Sequence, residues 1–512
     1  MRNSVLLFTM LASYGVLFAA DDRPNLIFIM TDDHGLGAVS AYGSEINETP
    51  NIDRIAEGGM RFNHCFVTAS LCAPSRASML TGTYPHINLQ VDIGGNFFDG
   101  TQPTFVNLMD AEGYQTAVIG KWHLHSIPMG FDYYSVLEGQ GDYFDPEFIT
   151  KTSIGPVWEQ TEGYSTDIIT DKSLEWLEER NPEEPFLLLC HFKSPHYNWE
   201  PHPRYQDRYT EDLPYPDTFN NTYDGPEAYR FTADVEKAHE FFKIDRWVEE
   251  MPKGLTEAEQ KKWNYQRFMK DYLRCIAAVD DNVGRILDYL EENDLVDNTI
   301  IVYTSDNGML QGEHGQIDKQ LMQEQSIHIP FLIRFPAEIP AQSESDNFLL
   351  NIDFAPTFLD YAGIEIPEVM QGVSARELLA GATPEDWRDS FYYRYYAHYD
   401  QERSVWGVRT ADWKLINYYK QDSPTIQQLF DLNNDPQEIN NLANNPEFSS
   451  IKASLDQQID LLQAEYGLTD GLIEQIYAKP GELISMPRMR KEVRELRKEI
   501  DENTEAFAKM TE

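Results

Sequence analysis

Four apolar runs, each leading directly into a polar cluster, constrain this chain more than any other feature. Asn25-Leu-Ile-Phe-Ile-Met30 precedes Thr31-Asp32-Asp33-His34-Gly35, and Thr116-Ala-Val-Ile119 precedes Gly120-Lys121-Trp122-His123. Pro185-Phe-Leu-Leu-Leu-Cys190 leads through His191 to Ser194-Pro195-His196, and Thr299-Ile-Ile-Val-Tyr303 precedes Ser305-Asp306-Asn307-Gly308. Continuous apolar runs of this length suit parallel strands covered on both faces. Ligands of such sheets bind beyond the carboxyl ends of the strands. All four clusters fall there, so residues far apart in sequence can meet in one site.

Helical patterns separate these runs. Asp167 to Glu179 carries Ile168, Leu174 and Leu177. Tyr272 to Glu292 carries Leu273, Ile276, Val283, Ile286, Leu287 and Leu290 at helical spacing. The alternation predicts an α/β domain over residues 21–386, with a large, mainly parallel sheet flanked by helices. Residues 197–270, rich in Tyr, Trp, Pro and acids, interrupt the rhythm as an insertion. Ser390 to Tyr396, Trp406 to Arg409 and Trp413 to Tyr419 read as short antiparallel strands with aromatic faces. They predict a smaller α+β domain over 387–485, followed by a charged helical tail over 486–512.

Residues 1–20 have the form of a secretory signal. Arg2 supplies the positive start, Val5 to Phe18 is largely apolar, and Ala19-Ala20 precede Asp21-Asp22. The apolar run is too short for a comfortable membrane span. The expectation is an exported protein, periplasmic or secreted, without a stable membrane anchor. With 41 Lys+Arg against 85 Asp+Glu the net charge is −44, which opposes binding to nucleic acid or anionic membrane. An anion site in such a chain has to carry its own positive field.

Residues 72 to 82 offer such a field. They read Cys-Ala-Pro-Ser-Arg-Ala-Ser-Met-Leu-Thr-Gly. Pro74 can open a helix and Gly82 can close it. Cys72 then faces the positive end of the helix dipole, with Arg76 one turn on. The result is a small anion site with a reactive side chain in it.

This string resembles the modification signature of the type I sulfatases, Cys-x-Pro-Ser-Arg-x-x-x-Leu-Thr-Gly, at every fixed position. The resemblance implies the alkaline-phosphatase-like fold. It also implies that Cys72 is converted to formylglycine by a formylglycine-generating enzyme, and that the aldehyde hydrate is the nucleophile. Three cysteines then remain, Cys65, Cys190 and Cys275, enough for one disulfide and one thiol, or for none.

Asp32-Asp33 and Asp306-Asn307 match the family's metal pairs, in order. With an oxygen of the converted Cys72 they imply a hard-oxygen site for Ca²⁺, with Mg²⁺ also compatible. Gly120-Lys121-Trp122-His123-Leu124 is similar to the family's Gly-Lys-Trp-His-Leu motif. It implies that Lys121 binds sulfate and His123 carries a proton. His125 stands where the family usually has glycine and is a candidate substrate contact. Ser194-Pro195-His196 resembles the Pro-His element, which makes His196 the acid that protonates the leaving alcohol. Asp318-Lys319 follows Gly312-Glu-His-Gly315 and implies a second sulfate-binding lysine at Lys319. Arg76, Lys121, Lys319 and the metal would together offset the sulfate charge.

The function so implied is hydrolysis of sulfate esters on a sulfated polysaccharide or derived oligosaccharide. Trp199, His202, Tyr205 and Trp247 are candidate sugar contacts, with core packing the competing role for each aromatic. Two alternatives use the same residues differently. One is a formylglycine-dependent phosphate or phosphonate monoester hydrolase. The other is an inactive glycan-binding protein, if Cys72 stays unmodified.

Overall fold

The computed structural model describes residues 23–93, 97–221, 233–238, 251–396, 403–420 and 424–478. The expected signal segment, the charged tail and Trp247 lie outside these residues.

Ten strands form the main sheet. In chain order they are β1 (Asn25–Thr31), β2 (Met60–Phe62), β3 (Gln115–Lys121), β4 (Tyr133–Leu137), β5 (Glu147–Thr152) and β6 (Gly155–Gln160). The remaining four are β7 (Phe186–His191), β8 (Thr299–Ser305), β9 (Phe331–Arg334) and β10 (Ser343–Ser345). Their order across the sheet is β10-β2-β9-β8-β1-β7-β3-β4-β5-β6. Strands β8, β1, β7, β3 and β4 are mutually parallel, and antiparallel pairings flank them on both sides.

Both faces of the parallel strands are buried, as their continuous apolar runs require. In β1, Leu26, Phe28 and Met30 enter one core while Ile27 and Ile29 enter another. In β7, Leu187 and Leu189 join the first, Leu188 and Cys190 the second. Helices α1 (Cys72–Thr81) and α4 (Phe354–Tyr361) contribute to the first core. Helices α2 (Ser165–Glu179) and α3 (Glu257–Glu292) supply Ile168, Leu177, Val283 and Leu287 to the second.

Helix α3 is longer than its apolar pattern predicts. It spans 36 residues and starts inside the stretch read as an insertion. Thr256 caps it, accepting from the Glu259 N–H while Glu259 accepts from the Thr256 N–H, a reciprocal pair that satisfies two otherwise free groups.

Beyond the main sheet, β11 (Ser390–Tyr395), β12 (Arg403–Thr410), β13 (Trp413–Lys420) and β14 (Ile426–Asp431) form a separate antiparallel sheet. Helix α5 (Ser449–Glu465) contacts three of its strands. All four cysteines are buried and unpaired.

Gly120 closes the gap between β3 and β7. Its φ is 105°, and a Cβ there would lie 1.9 Å from the His191 carbonyl oxygen. Gly120→Ala is expected to destabilise the fold by more than about 2 kcal/mol, since the backbone can neither relax nor retreat. Chemical denaturation of the variant measures this directly; an unchanged midpoint would contradict it.

Candidate active site

Strand register assembles the polar clusters. Thr31 pairs with Ser305, Met30 with His191, and His191 with Gly120. Asp32 and Asp306 are therefore the first residues past two adjacent strand ends, and Lys121 ends β3 on the same edge.

Helix α1 delivers Cys72 to this edge. Leu71 caps the helix in an extended conformation, and Pro74 lies in the first turn, where N–H groups have no helical partner. Gly82 ends it in the left-handed region, with its N–H donating to the Ser78 carbonyl at 2.9 Å. Every residue of α1 is buried.

Around Cys72 the contacts are dense. Its Sγ lies 3.5 Å from Asp32 Oδ1 and receives a hydrogen bond from Lys319 Nζ at 3.2 Å. Lys319 also pairs with Asp33, and Lys121 with Asp32. Arg76 Nε donates to Asp306 Oδ2 at 2.8 Å and its Nη1 to the Lys121 carbonyl at 2.7 Å. The guanidinium thus ties a carboxylate to the end of β3, and its buried Nη2 makes no hydrogen bond but lies 4.0 Å from Asp32 Oδ1. His196 Nε2 lies 3.7 Å from Asp33 Oδ2.

Ligand atoms of Asp32, Asp33, Cys72 and Asp306 lie within 4.8 Å of one another. Asn307 Nδ2 donates to Asp33 Oδ1 at 2.5 Å, while its Oδ1 is buried and unpartnered. Three carboxylates and an orphaned amide oxygen form a donor set that fits a hard divalent cation.

The charges follow from burial and neighbours. Burial opposes the charge on Asp32, yet Lys121 foremost, with Arg76 and Lys319, holds it well below the usual carboxylate range. Burial raises Asp33 against the pull of Lys319, and burial together with Asp32 pushes Asp306 up to about 7. Burial also lifts the Cys72 thiol well above its ordinary value, although Lys319 pulls the other way. A neutral thiol is a weak nucleophile. Burial, assisted by Lys121, keeps both His123 and His196 well below the usual imidazole value, hence neutral.

A family model for the sulfatases matches residues 24–364, and one for the C-terminal part of N-sulphoglucosamine sulphohydrolase matches 312–465. The chain belongs to the sulfatase family. The N-acetylglucosamine-6-O-sulfatase of Bacteroides thetaiotaomicron is 40% identical over 499 residues, covering 87% of this chain and 87% of that relative. A solved structure of a protein in complex with its substrate, D-glucosamine-2-N,6-O-disulfate, superposes with a TM-score of 0.80 at 38% identity. That match covers 88% of this chain and 99% of the other. A phosphonate monoester hydrolase from Silicibacter pomeroyi shares the fold, with a TM-score of 0.69 at 22% identity over 87% of this chain and 96% of that one.

The substrate contacts expected in this sulfatase are placed differently from the core cluster. Trp199 is buried, stacked 5.4 Å from Phe268, with Nε1 donating to the Pro195 carbonyl at 2.7 Å. That ring packs in the core, and Tyr205 is likewise buried. His202 accepts from the Arg204 N–H at 3.1 Å and faces a surface groove lined by Tyr209, Trp263 and Arg274, apart from the Cys72 cluster. His125 does stand beside the cluster, its ring 5.3 Å from that of His123 and its Nε2 buried without a partner. One neighbour escaped the motifs: Gln140 Oε1 accepts from Lys121 Nζ at 2.5 Å. Its signal is the pair of positive-φ glycines around it, Gly139 and Gly141, just past the end of β4.

Proposed function

We propose that this sulfatase removes the 6-O-sulfate from a glucosamine-type sugar through a formylglycine made from Cys72. The observation that carries the reading is Cys72 at a buried helix start, within reach of both Lys319 and the Asp32–Asp33–Asp306 cluster. The names of the relative and of the solved complex supply the sugar.

In this reading Asp32, Asp33, Asp306 and Asn307, with the converted Cys72, hold Ca²⁺, and Mg²⁺ suits the same donors. When bound, the ion adds positive charge against the sulfate oxygens. Lys121 and Lys319 leave their carboxylate partners to bind sulfate oxygens. Arg76 keeps Asp306 and the end of β3 in register. His196, neutral in the free site, takes up a proton when the anionic ester binds and gives it to the leaving sugar oxygen, His123 moves the proton that releases sulfate, and His125 touches the sugar. Residues 1–20 direct export, and a formylglycine-generating enzyme matures the chain. The main-sheet domain carries catalysis, and the domain with the second sheet completes its rim. Among the described residues no helix is long and apolar enough to cross a membrane.

Sulfate release from N-acetylglucosamine-6-sulfate, followed by ion chromatography, tests the reading. Release from the sulfate but not from the matched 6-phosphate is expected. Faster hydrolysis of the phosphate would replace it with the phosphomonoesterase alternative.

His196→Gln is expected to lower kcat on the sugar sulfate about 10²- to 10³-fold, and far less on an aryl sulfate whose leaving group needs no proton. Equal losses on the two substrates would remove His196 from the acid role.

A further inference from the structure

Lys319 stands between two residues whose backbones occupy the left-handed region, Asp318 at φ 91° and Gln320 at φ 79°. Neither is glycine, and such backbone persists only where its surroundings hold it. The four residues after Gln320 are each held from one side. The Tyr393 hydroxyl donates to the Leu321 carbonyl at 3.3 Å, and Lys414 Nζ donates to the Met322 carbonyl at 2.9 Å. Gln323 Nε2 donates to the Tyr418 hydroxyl at 3.3 Å. Glu324 pairs with Lys414 at 2.5 Å and with Arg409 at 3.3 Å.

All four anchoring side chains belong to the second sheet: Tyr393 on β11, Arg409 on β12, Lys414 and Tyr418 on β13. Lys414 is fully buried. Its remaining partner, Glu438, lies at 2.7 Å and accepts from the Glu324 N–H at 2.8 Å. Burying an ammonium with two carboxylates gains little stability over apolar packing of the same volume.

We propose that the second sheet fixes the position of Lys319, with Lys414 as the principal positioning residue and Tyr393 as a lesser one. The proposal rests on the reading of Lys319 as a sulfate ligand. Lys319 Nζ is 3.2 Å from Cys72 Sγ, and a shift of about 1 Å in its backbone would take the charge out of line with a sulfate oxygen. Lys414 acts entirely through the chain segment Leu321 to Glu324.

The test compares the mature, metal-loaded enzyme with Lys414→Met, Lys414→Arg, Tyr393→Phe and Lys319→Met. KM and kcat on N-acetylglucosamine-6-sulfate, competitive inhibition by inorganic sulfate, and thermal melting are measured for each. Lys414→Met is expected to raise KM and the sulfate inhibition constant about tenfold, in parallel, with a smaller change in kcat. Lys414→Arg should recover part of the loss, and Tyr393→Phe should move both constants the same way by about two- to threefold. A folded Lys414→Met with parental KM and sulfate affinity would overturn the proposal. If that variant does not fold, a folded Tyr393→Phe with parental constants overturns it instead. Lys319→Met separates the two readings: unchanged sulfate affinity there would remove Lys319 as a ligand, and the positioning role with it.

Discussion

Cys72→Ala is expected to lower kcat by at least about 10⁴-fold, because it deletes the nucleophile while leaving the binding charges in place. The thiol itself cannot supply that rate. It is buried, and its pKa is raised despite Lys319 at 3.2 Å. The informative companion is Cys72→Ser. A lone hydroxyl that accepts sulfate has no second hydroxyl on the same carbon to expel it, so this variant is expected to stop after one turnover. Sustained turnover by Cys72→Ser would refute the hydrate mechanism. The same chemistry is visible by mass: the tryptic peptide Phe62 to Arg76 should be lighter than its sequence by roughly one water. An intact thiol throughout folded preparations, with glycan binding but no sulfate release, would favour the binding-protein alternative.

Asp33→Asn is expected to cost about 10³-fold in activity and to abolish stabilisation by Ca²⁺. Asp33 is also the buried ion-pair partner of Lys319, so the variant's metal-free melting temperature is expected to fall too, and the calcium effect is read against each protein's own chelated state. What disappears is one donor of a cluster whose ligand atoms lie within 4.8 Å. In the parent, Ca²⁺ at a thousand times its Kd should add about 4 kcal/mol of stability, and a chelator should remove both this gain and the activity. Melting curves with chelator and with Ca²⁺ read the difference. An equal calcium-induced shift in parent and Asp33→Asn would take Asp33 out of the metal site.

Much of the catalytic edge was legible because its signals are local. Long apolar runs identify β1, β3, β7 and β8, and a parallel sheet brings their carboxyl ends together without further information. Elements outside that pattern left weaker traces. Strands β5 and β6 end in exposed polar residues, and the first half of α3 mixes aromatic with charged residues. Only the Thr256–Glu259 box marks where that helix begins. Trp199 shows the limit of composition: a tryptophan in a polar stretch suits a sugar platform, but Phe268 and Tyr272 of α3 enclose it. The grip of Lys414 on Met322 and Glu324 spans some ninety residues, and its geometry exists only once both sheets have formed.

The burial of α1 imposes an order of events. Cys72 is 2% exposed, and the whole helix from Cys72 to Thr81 is enclosed. A modifying enzyme must grip the backbone on both sides of its target, and in the native protein none of this segment can be gripped. If Cys72 is converted as proposed, its oxidation belongs to the interval between synthesis and folding. On that reading a chain that folds first stays a thiol, the active fraction is set by a race between two rates, and slowing folding is expected to raise the fraction of Cys72 converted, as read by the mass of the Phe62 to Arg76 peptide.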